Sequence, residues 1–407
     1  MHITGVAITC RRITPEPSDL PHPLSSSIAT CAAILSIAGL SSVLAGPSAS
    51  AQQTRAPAAP RTAIKVETFA TGLENPWGLQ FLPGGRLLVT ERPGRLRIVS
   101  PEGVLSPPID GVPKVSATGQ GGLLDVALAP DFAETREIYF SFAEPRDGGV
   151  NGTSLARGKL ELSDAGGRLV DAKVIFRQQP SYASNHHFGS RIVFARDGTL
   201  FLTVGERFAL RDQAQNPANH LGKIMRLARD GAPAPDNPKL PGWNEDLWSI
   251  GHRNIQAAAI HPSTSELWVV DHGARGGDEI NIPRKGRNYG WPVITYGRDY
   301  SGARIGEGTA KAGMEQPVYY WDPSIAPSGG TFYTGDLFPA WKGNLLVGAL
   351  AGQHLARLVL DGEKVVGEEK LLTDLGARIR DVRVGPDGAV WLLVDQSNGR
   401  ILRLVPG

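Results

Sequence analysis

The sequence predicts an all-β fold, namely a six-bladed β-propeller of four-stranded antiparallel sheets. The chain is rich in turn-forming residues, with 49 Gly and 31 Pro among 407 residues, which favours many short strands over long helices. A unit of glycine turn, strand, second turn and second strand recurs six times. Sheets arranged around an axis bury both of their faces and leave only short edges, so such a repeat favours a propeller.

The N-terminal segment differs in composition from the rest of the chain. An apolar stretch rich in small residues runs from Ile28 to Ala45, after Arg11 and Arg12 and before Ala49-Ser50-Ala51. This pattern is typical of a secretory signal with an A-x-A cleavage site, although a membrane anchor is the alternative. We therefore predict a secretory signal over residues 1–51. The mature protein would be periplasmic or secreted, with no membrane span.

The two cysteines, Cys10 and Cys31, both precede the predicted cleavage site. The mature chain would then have no disulfide, no thiolate metal site and no cysteine nucleophile. A Pro/Ala-rich stretch over residues 52–61 is predicted to be a linker. Residues 62–407 follow as a single propeller domain that carries the catalytic site.

The six repeated units are separated irregularly along the chain. In chain order they are Pro83 to Val99, Thr135 to Glu144, Arg196 to Arg207, Thr264 to Gly273, Lys342 to Gly362 and Asp387 to Val405. Irregular spacing predicts long connecting loops, which in compact domains are usually functional. The candidates are Tyr182 to Ser190, Arg207 to His220, Asp230 to Asn244 and Tyr296 to Met314.

A further strand, Ala63 to Ala70, precedes the first complete unit. It is predicted to pair with the last blade and close the ring, and a loose leader is the alternative.

Charge and missing motifs exclude several classes of function. The net charge is +2 with no basic run, so no nucleic-acid partner is expected. The chain has no GxSxG elbow, no HExxH, no EF-hand loop and no dinucleotide-binding GxGxxG in its strand and helix context. These absences argue against serine esterases, zinc proteases and NAD-dependent enzymes.

His187 is a candidate proton acceptor, because histidine takes and returns a proton near neutral pH. Glu206 lies one strand later and could orient and stabilise an imidazolium. The alternatives are a structural histidine and a surface ion pair between Glu206 and Arg207. One metal ion held by both His186 and His187 is disfavoured, because neighbours in a strand point to opposite faces.

The stretch from Trp248 to Pro292 concentrates further candidates. Arg253 and Asn254 precede a strand, and a glycine loop from Gly273 to Asp278 follows it. Glycines let backbone carbonyls approach a ligand closely, and polar loops on a rigid scaffold are where sites are found. Two ordinary turns between strands are the alternative.

Two arginines alternate near the C-terminus, so Arg378 and Arg380 are predicted to share one face of a strand. Two guanidinium groups on one face indicate a ligand with several carboxylates, and a solvated strand face is the alternative. Gln120 lies in the glycine turn from Gly119 to Asp125, which lacks the lysine and helix of a phosphate-binding loop. That turn is either a ligand contact or a tight connection between blades.

Taken together, eight motifs in family order resemble the soluble aldose sugar dehydrogenases that depend on pyrroloquinoline quinone (PQQ), the glucose/sorbosone dehydrogenase family. The motifs are GLENPWGLQFLPGGRLLVTER, GQGGLLDVALAPDF, NHHFGSR, GHRN, HGARGGDEIN, GRNYGWP, PSIAPSGGTFY and RIRDVRVGPDG. The resemblance covers residues 66–405. The resemblance implies a six-bladed propeller with PQQ over the central channel and Ca²⁺ beneath it.

The resemblance also implies roles for single residues. His187 matches the general base, with Glu206 as its carboxylate partner. Arg253 matches a position that stabilises charge on the quinone oxygen. By the same resemblance, Gln120, Arg253 and Asn254 contact PQQ, Arg378 and Arg380 hold its carboxylates, and the backbone carbonyls of Gly273 and Ala274 bind Ca²⁺.

One position departs from the family pattern. Ala351 stands where close relatives carry a lysine that binds a PQQ carboxylate. Losing such a contact weakens binding by about 1.5 to 3 kcal/mol unless Gln353 or His354 substitutes. Tyr319 and Trp321 either stack on a sugar ring or pack in the core.

The resulting hypothesis is an exported quinoprotein that oxidises aldose sugars at C1 to lactones. Hydride would pass to PQQ with a histidine as general base, and an external electron acceptor would reoxidise the cofactor. Two alternatives remain at this point, a metal-dependent lactonase on a propeller and a non-catalytic propeller that binds a ligand.

Overall fold

The computed structural model describes residues 51–407. All of the predicted secretory signal except Ala51 lies outside the described residues. Within them, no helix is long and apolar enough to cross a membrane.

Strands dominate the described chain. In chain order they are β1 (Gln52–Gln53), β2 (Ile64–Leu73), β3 (Pro76–Phe81), β4 (Leu87–Glu91), β5 (Arg95–Val99), β6 (Leu123–Leu128), β7 (Glu137–Pro145), β8 (Asn151–Ser163), β9 (Gly166–Arg177), β10 (Ile192–Phe194), β11 (Leu200–Val204), β12 (Lys223–Leu227), β13 (Leu247–Ile250), β14 (Ile255–Ile260), β15 (Leu267–Asp271), β16 (Asp278–Asn281), β17 (Tyr319–Trp321), β18 (Pro327–Phe332), β19 (Leu345–Ala349), β20 (Leu355–Asp361), β21 (Lys364–Leu371), β22 (Ile379–Val384), β23 (Val390–Val394) and β24 (Gly399–Pro406). Helical structure is limited to one α-helical turn, α1 (Phe132–Thr135), and the 3₁₀ turns Pro83–Gly85, Asp147–Gly149, Arg211–Gln215 and Pro339–Trp341.

The strands form six sheets, which are the blades of a propeller. Blade 1 is β3–β5, blade 2 is β6–β9, blade 3 is β10–β13, blade 4 is β14–β17, blade 5 is β18–β21, and blade 6 is β22–β24 with β2. Each of the six repeated units falls in a different blade, so the predicted fold class is confirmed. Blade 1 has three full strands, with Leu105 bridging to Val99 in the place of a fourth, and β1 adds a parallel fifth strand to blade 4.

Strand β2 closes the ring. It pairs antiparallel with β24, with Ile64 opposite Pro406 and Leu73 opposite Gly399. The first described full strand thus completes the last blade, as the sequence predicts. The closure replaces two exposed edges by one hydrogen-bonded ladder.

The segment predicted to be a linker, residues 52–61, packs against blades 4 and 5. Ala58 bridges to Glu368 in β21, and the guanidinium Nη2 of Arg357 donates a 2.9 Å hydrogen bond to the carbonyl of Pro60. Its prolines lie at positions where no strand ladder needs an N–H donor.

Six large apolar clusters lie between adjacent blades, one at each of the six interfaces of the ring. The second strand of a blade is therefore covered on both faces. Five such strands are buried at every residue: β4, β11, β15, β19 and β23. Burial on both faces explains why these strands read as continuous apolar runs in the sequence rather than as alternating ones.

The first strand of each blade contacts the first strands of the two neighbouring blades, so β3, β6, β10, β14, β18 and β22 form the inner ring. The second strand runs antiparallel to the first. The residues just before a first strand and just after a second strand therefore lie at the same end of the propeller. Twelve chain positions are brought together at that end.

Candidate active site

A cavity of about 410 Å³ occupies this end of the ring. All six blades contribute to its lining, chiefly through residues at the start of the first strands. The lining residues are Trp77, Arg92, Gly119, Gln120, Leu124, Phe188, Gly189, Asn254, Gln256, His272, Ala326, Leu350, Arg378, Arg380 and Asp395. Four predicted site residues, Gln120, Asn254, Arg378 and Arg380, are among them.

Three arginines give the cavity its charge. Arg92, Arg378 and Arg380 line it together with one carboxylate, Asp395. The Nη2 atom of Arg380 lies 2.7 Å from Asp395 Oδ2, and that of Arg378 lies 3.6 Å from the same oxygen. Both arginines line the cavity, although Arg378 lies one residue before β22, and Asp395, which was not predicted, lies near both of them. With three cations against one anion, the lining favours an anionic ligand.

The carboxylate of Asp395 stays ionised at all ordinary pH values. Burial acts to raise its pKa, but Arg380 outweighs this effect, with help from Arg92 and Asn75, and the pKa is lowered to about 2. The Nε atoms of Arg380 and Arg92 are buried and have no partner among the described residues. Buried guanidinium groups rarely lack partners, so these N–H donors indicate a place for further acceptor oxygens.

His187 lies in the bend before β10, with its backbone in the left-handed region at φ 51°. Its N–H donates a 2.8 Å hydrogen bond to Gln120 Oε1, and its ring Nδ1 lies 2.9 Å from Glu206 Oε2. Glu206 follows β11 and is buried. The preceding Gly205 is required for this approach, because a Cβ there would meet the carbonyl of His187 at 2.3 Å.

The imidazole of His187 is neutral at physiological pH. Burial lowers its pKa first, and the charge of Arg253 lowers it further; the hydrogen bond to Glu206 opposes both, leaving a pKa of about 4. With Nδ1–H donating to the carboxylate of Glu206, the lone pair lies on Nε2, which makes no hydrogen bond within residues 51–407. This tautomer presents a proton acceptor.

Arg253 and Asn254 connect blades 3 and 4. Their backbone N–H groups donate to the two carboxylate oxygens of Asp271, at 2.8 and 2.6 Å. The carbonyl of Arg253 accepts from the N–H of Glu206 at 3.0 Å, and Asn254 Oδ1 accepts from the N–H of Gly189 at 3.0 Å. Both side chains are thus held beside His187 and Glu206.

The predicted calcium ligands lie next to this group. The carbonyl of Gly273 accepts hydrogen bonds from Arg253 Nη1 at 2.6 Å and from His272 Nδ1 at 2.7 Å. Ala274 is buried and lines a second cavity of about 900 Å³, which shares His272 and Ala326 with the central one. Within the described chain, no three His, Asp or Glu side chains group as a metal site. A cation here would rely on backbone oxygens.

Ala351 lines the second cavity and not the central one. Neither possible substitute for the family lysine reaches either cavity. His354 is buried with Nδ1 bonded to the carbonyl of Gly352 at 2.8 Å, and Gln353 adopts a left-handed conformation at φ 50°. The central cavity instead has a third arginine, Arg92 on blade 1, in addition to Arg378 and Arg380.

Tyr319 and Trp321 do not stack on a ligand. Both are fully buried in the core between blades 4 and 5, where they donate hydrogen bonds to the carboxylate of Glu368 at 2.8 and 3.0 Å. Sugar stacking by these two residues, one of the two predicted options, is therefore wrong. These two side chains lie in β17, the fourth strand of blade 4, and fill the core between blades 4 and 5 with large apolar groups.

Sequence reasoning missed Arg92, His272, Leu350 and Asp395. Each immediately follows the second strand of its blade, β4, β15, β19 or β23, and each lines the cavity. Their shared position was a usable signal, because in a propeller the end of the second strand returns to the end where the first strand begins. Trp77 lies in β3, so this positional signal does not apply to it.

Comparisons with known proteins agree with this architecture. The chain is 46% identical over 354 residues to the aldose sugar dehydrogenase YliI of Escherichia coli, covering 86% of this chain and 94% of that protein. The crystal structure of the soluble aldose sugar dehydrogenase of Escherichia coli in the apo form superposes with a TM-score of 0.81 at 45% identity, covering 84% of this chain and 100% of that one.

A PQQ-bound aldose sugar dehydrogenase from Streptomyces coelicolor superposes with a TM-score of 0.70 at 31% identity, covering 85% of this chain and 99% of that one. The sequence profile described as Glucose / Sorbosone dehydrogenase matches residues 73–403. With nearly the whole propeller matched, the chain belongs to the glucose/sorbosone dehydrogenase family, as its motifs predict.

Proposed function

We propose that this protein oxidises aldose sugars at C1 to lactones with PQQ as its cofactor. The observation that carries the proposal is the pairing of an anion-binding cavity with a neutral histidine whose Nε2 has no described partner. The names of its relatives, an aldose sugar dehydrogenase from Escherichia coli and a PQQ-bound one from Streptomyces coelicolor, support the same chemistry.

The cavity lining suits a planar cofactor with several carboxylates. Arg92, Arg378 and Arg380 would hold those carboxylates, and the unpaired Nε donors of Arg92 and Arg380 are available to them. The carbonyl oxygens of the Gln120 and Asn254 side chains already accept backbone N–H groups. Their amide NH₂ groups are therefore the atoms left to donate to a ligand. When bound, PQQ supplies the two-electron acceptor for hydride from C1.

His187 is the proposed general base for the anomeric hydroxyl. Its Nε2 would accept the proton, and Glu206 would stabilise the imidazolium that forms through the 2.9 Å contact at Nδ1. Arg253 would place positive charge beside the reacting atoms, since its guanidinium is held at the carbonyl of Gly273. Burial of the pair excludes water that would otherwise compete for these contacts.

Calcium is proposed at the carbonyls of Gly273 and Ala274. Backbone oxygens suit this hard cation, which takes oxygen ligands. The carbonyl of Gly273 would first have to lose at least one of its hydrogen bonds, from Arg253 or from His272. Ca²⁺ binding would thus be coupled to the position of the Arg253 or the His272 side chain. Export to the periplasm or beyond, a small sugar substrate and an external electron acceptor complete the proposal.

The decisive experiment titrates the purified protein with PQQ and Ca²⁺ and measures the quinone absorption spectrum, followed by dye reduction with glucose and other aldoses. His187→Ala is expected to bind PQQ but to lose about 10²–10⁴-fold in kcat. His186→Ala is the matched control, since His186 is exposed and adjacent. Absence of both quinone binding and dye reduction in the wild type would contradict the proposal.

The two alternative functions have distinct signatures in the same experiment. A metal-dependent lactonase would hydrolyse lactones without PQQ, but the described residues show no side-chain metal cluster of the kind it needs. A ligand-binding propeller would bind PQQ without dye reduction by any aldose. If the wild type does oxidise an aldose, comparing His187→Ala with His186→Ala separates the effect on turnover from the effect on PQQ binding.

A further inference from the structure

Two aromatic side chains, Phe208 and Tyr300, are exposed to solvent at 47% and 56%. Every other Phe, Tyr and Trp within residues 51–407 is buried or half-buried. The two come from different long loops, one between blade 3 strands and one within blade 4, yet their rings stack with centroids 6.4 Å apart and planes at 30°. Exposed apolar surface on a soluble protein usually marks a binding site when it is contiguous.

Phe208 is held in an unfavourable backbone conformation. Arg207 and Phe208 are consecutive non-glycine residues in the left-handed region, with φ 66° and 65°. Such strain persists only where surrounding contacts enforce it, and it is concentrated at functional sites. Here the N–H of Phe208 donates to Glu206 Oε2, and the buried guanidinium of Arg207 lies 3.7 Å above the ring of Phe188. The turn is therefore anchored on the proposed catalytic carboxylate.

Both aromatic side chains contact residues of the proposed reaction centre, His187 and Arg253. The ring of Phe208 packs edge-on to that of His187 with centroids 5.3 Å apart. The hydroxyl of Tyr300 lies 3.4 Å from Arg253 Nη2. Tyr300 also lines the second cavity, which meets the central cavity at His272 and Ala326. An apolar surface therefore lies beside the proton acceptor, on the open side of the site.

We propose that Phe208 and Tyr300 form the surface on which the sugar substrate binds. A pyranose ring has an apolar face of C–H groups that packs on aromatic rings, while its hydroxyls point to polar partners. A ring seated on Phe208 and Tyr300 has its anomeric hydroxyl within reach of His187. This inference rests on the proposed function and adds to it the residues that determine sugar affinity.

The alternative occupant of this surface is the electron acceptor, because artificial dyes and quinones are also flat and apolar. The position of Phe208 favours the sugar. Phe208 contacts the proposed base itself, whereas an acceptor needs only the edge of the cofactor. The two occupants predict changes in different kinetic constants, so the experiment distinguishes them.

The test uses Phe208→Gly, Tyr300→Ala and Tyr300→Phe in the PQQ-loaded protein. Glycine removes the ring and also relieves the left-handed strain, so the fold should lose no thermal stability. We expect the KM for glucose to rise about tenfold in Phe208→Gly and Tyr300→Ala, with kcat, PQQ affinity and the KM for the dye little changed. Tyr300→Phe, which keeps the ring and loses only the hydroxyl beside Arg253, should keep the wild-type KM for glucose. Leu240→Ala is the matched control, as Leu240 is 43% exposed and lines neither cavity.

An unchanged KM for glucose in both ring-deleting variants would overturn the proposal, and so would a rise confined to the KM for the dye. Sugar binding is also measured without turnover, by saturation-transfer NMR of glucose on the unloaded protein. Transfer that is lost in Phe208→Gly supports the binding surface even if no aldose is oxidised, in which case only the proposed function fails. Equal transfer in the wild type and in Phe208→Gly would overturn the surface even if the enzyme is active.

Discussion

At the scale of single residues, burial and the positive charge of Arg253 act on the pKa of His187 in the same direction. Both lower its pKa, to about 4, and the hydrogen bond to Glu206 only partly opposes them. A general base works in its deprotonated form. The group is therefore ready to accept a proton across the whole neutral range, without the partial protonation that an ordinary histidine shows there.

The low pKa of His187 predicts an unusual pH profile. We expect kcat/KM for glucose to stay level from about pH 8 to about pH 5 and then to fall roughly tenfold per pH unit below about pH 4. The profile is measured with PQQ-saturated enzyme and checked for acid unfolding by circular dichroism at each pH. An inflection near pH 6.5 that disappears in His187→Ala would show that the histidine titrates at its ordinary pKa.

Arg92 is expected to contribute to cofactor affinity as strongly as the arginines that the motifs indicate. Arg92→Gln should weaken PQQ binding by about 1.5 to 3 kcal/mol, because a charge-assisted contact is lost at a cavity that stays otherwise intact. The measurement is a PQQ titration followed by absorbance. Arg284→Gln is the control, since Arg284 is exposed and paired with Glu363 at 2.6 Å. Equal affinities for both variants would remove Arg92 from the site.

At Ala351 a positive charge can be added near the site, whereas Arg92→Gln removes one. Its side chain lines the second cavity, which joins the central one, so a lysine there could extend toward the shared lining. Ala351→Lys is expected to tighten PQQ binding by up to about tenfold. Ala351→Met has similar length without charge and should leave the affinity unchanged. A lysine variant with wild-type affinity would show that the arginines already satisfy every carboxylate.

At the scale of elements, the second strands of the blades are the most strongly encoded features of the fold. Strands β4, β11, β15, β19 and β23 are buried on both faces, since an apolar cluster lies at every blade interface. The first strands are less regular, because they begin in the site. Residues at their starts line the cavity as well as pack against neighbouring blades.

Strand β2 is the element on which ring closure depends. A protein that begins at residue 62 keeps β2 and loses only the contacts of residues 52–61, so it should unfold cooperatively with a modestly lower Tm. A protein that begins at residue 74 leaves β24 as an open edge and exposes the cluster between blades 6 and 1. We expect it to lose the cooperative thermal transition in circular dichroism. Identical melting curves for the two proteins would show that closure adds nothing to stability.

At the scale of the whole molecule, a buried charge cluster on the inner side of the ring, the channel cluster, connects several blades. Arg191 lies 3.2 Å from Asp125 and 3.0 Å from Asp381, and Arg383 pairs with the same two acids at 3.2 and 2.9 Å. A Cβ at Gly329 would meet Asp381 Oδ1 at 2.1 Å, so only glycine fits there. Residues of blades 2, 3, 5 and 6 thus meet in this cluster.

Removing one member of this cluster should destabilise the entire ring. Arg191→Met leaves two carboxylates in a buried site with one cation, which is expected to cost about 3 to 5 kcal/mol in the free energy of unfolding. The matched control is Arg168→Met, which breaks an exposed pair with Glu161 and should cost less than about 1 kcal/mol. Urea denaturation measures both. Equal losses in the two variants would mean that the channel cluster is not coupled to folding.

The sequence by itself determined the repeat, the closing strand and the family of the protein. These features are local. A strand that is covered on both faces has a continuous apolar run, and a glycine that permits a close backbone approach is visible in the sequence, as Gly205 is in the unit from Arg196 to Arg207. Gln120, His187, Arg253, Asn254, Arg378 and Arg380 could be selected because each belongs to a family motif, and Glu206 could be selected because it lies one strand after His187. The predicted general base and its carboxylate are indeed in contact.

Only the tertiary structure decided which distant residues share the site. Arg92 of blade 1 and Arg380 of blade 6 line one cavity because ring closure brings these two blades together, and Asp395 pairs with Arg380 across neighbouring strands of blade 6. Phe208 and Tyr300 stack because two loops converge over the same opening, whereas Trp321 lies in the core between two blades. An aromatic residue has the same local pattern in either place. Its role depends on what the closed ring packs against it, which no short stretch of sequence encodes.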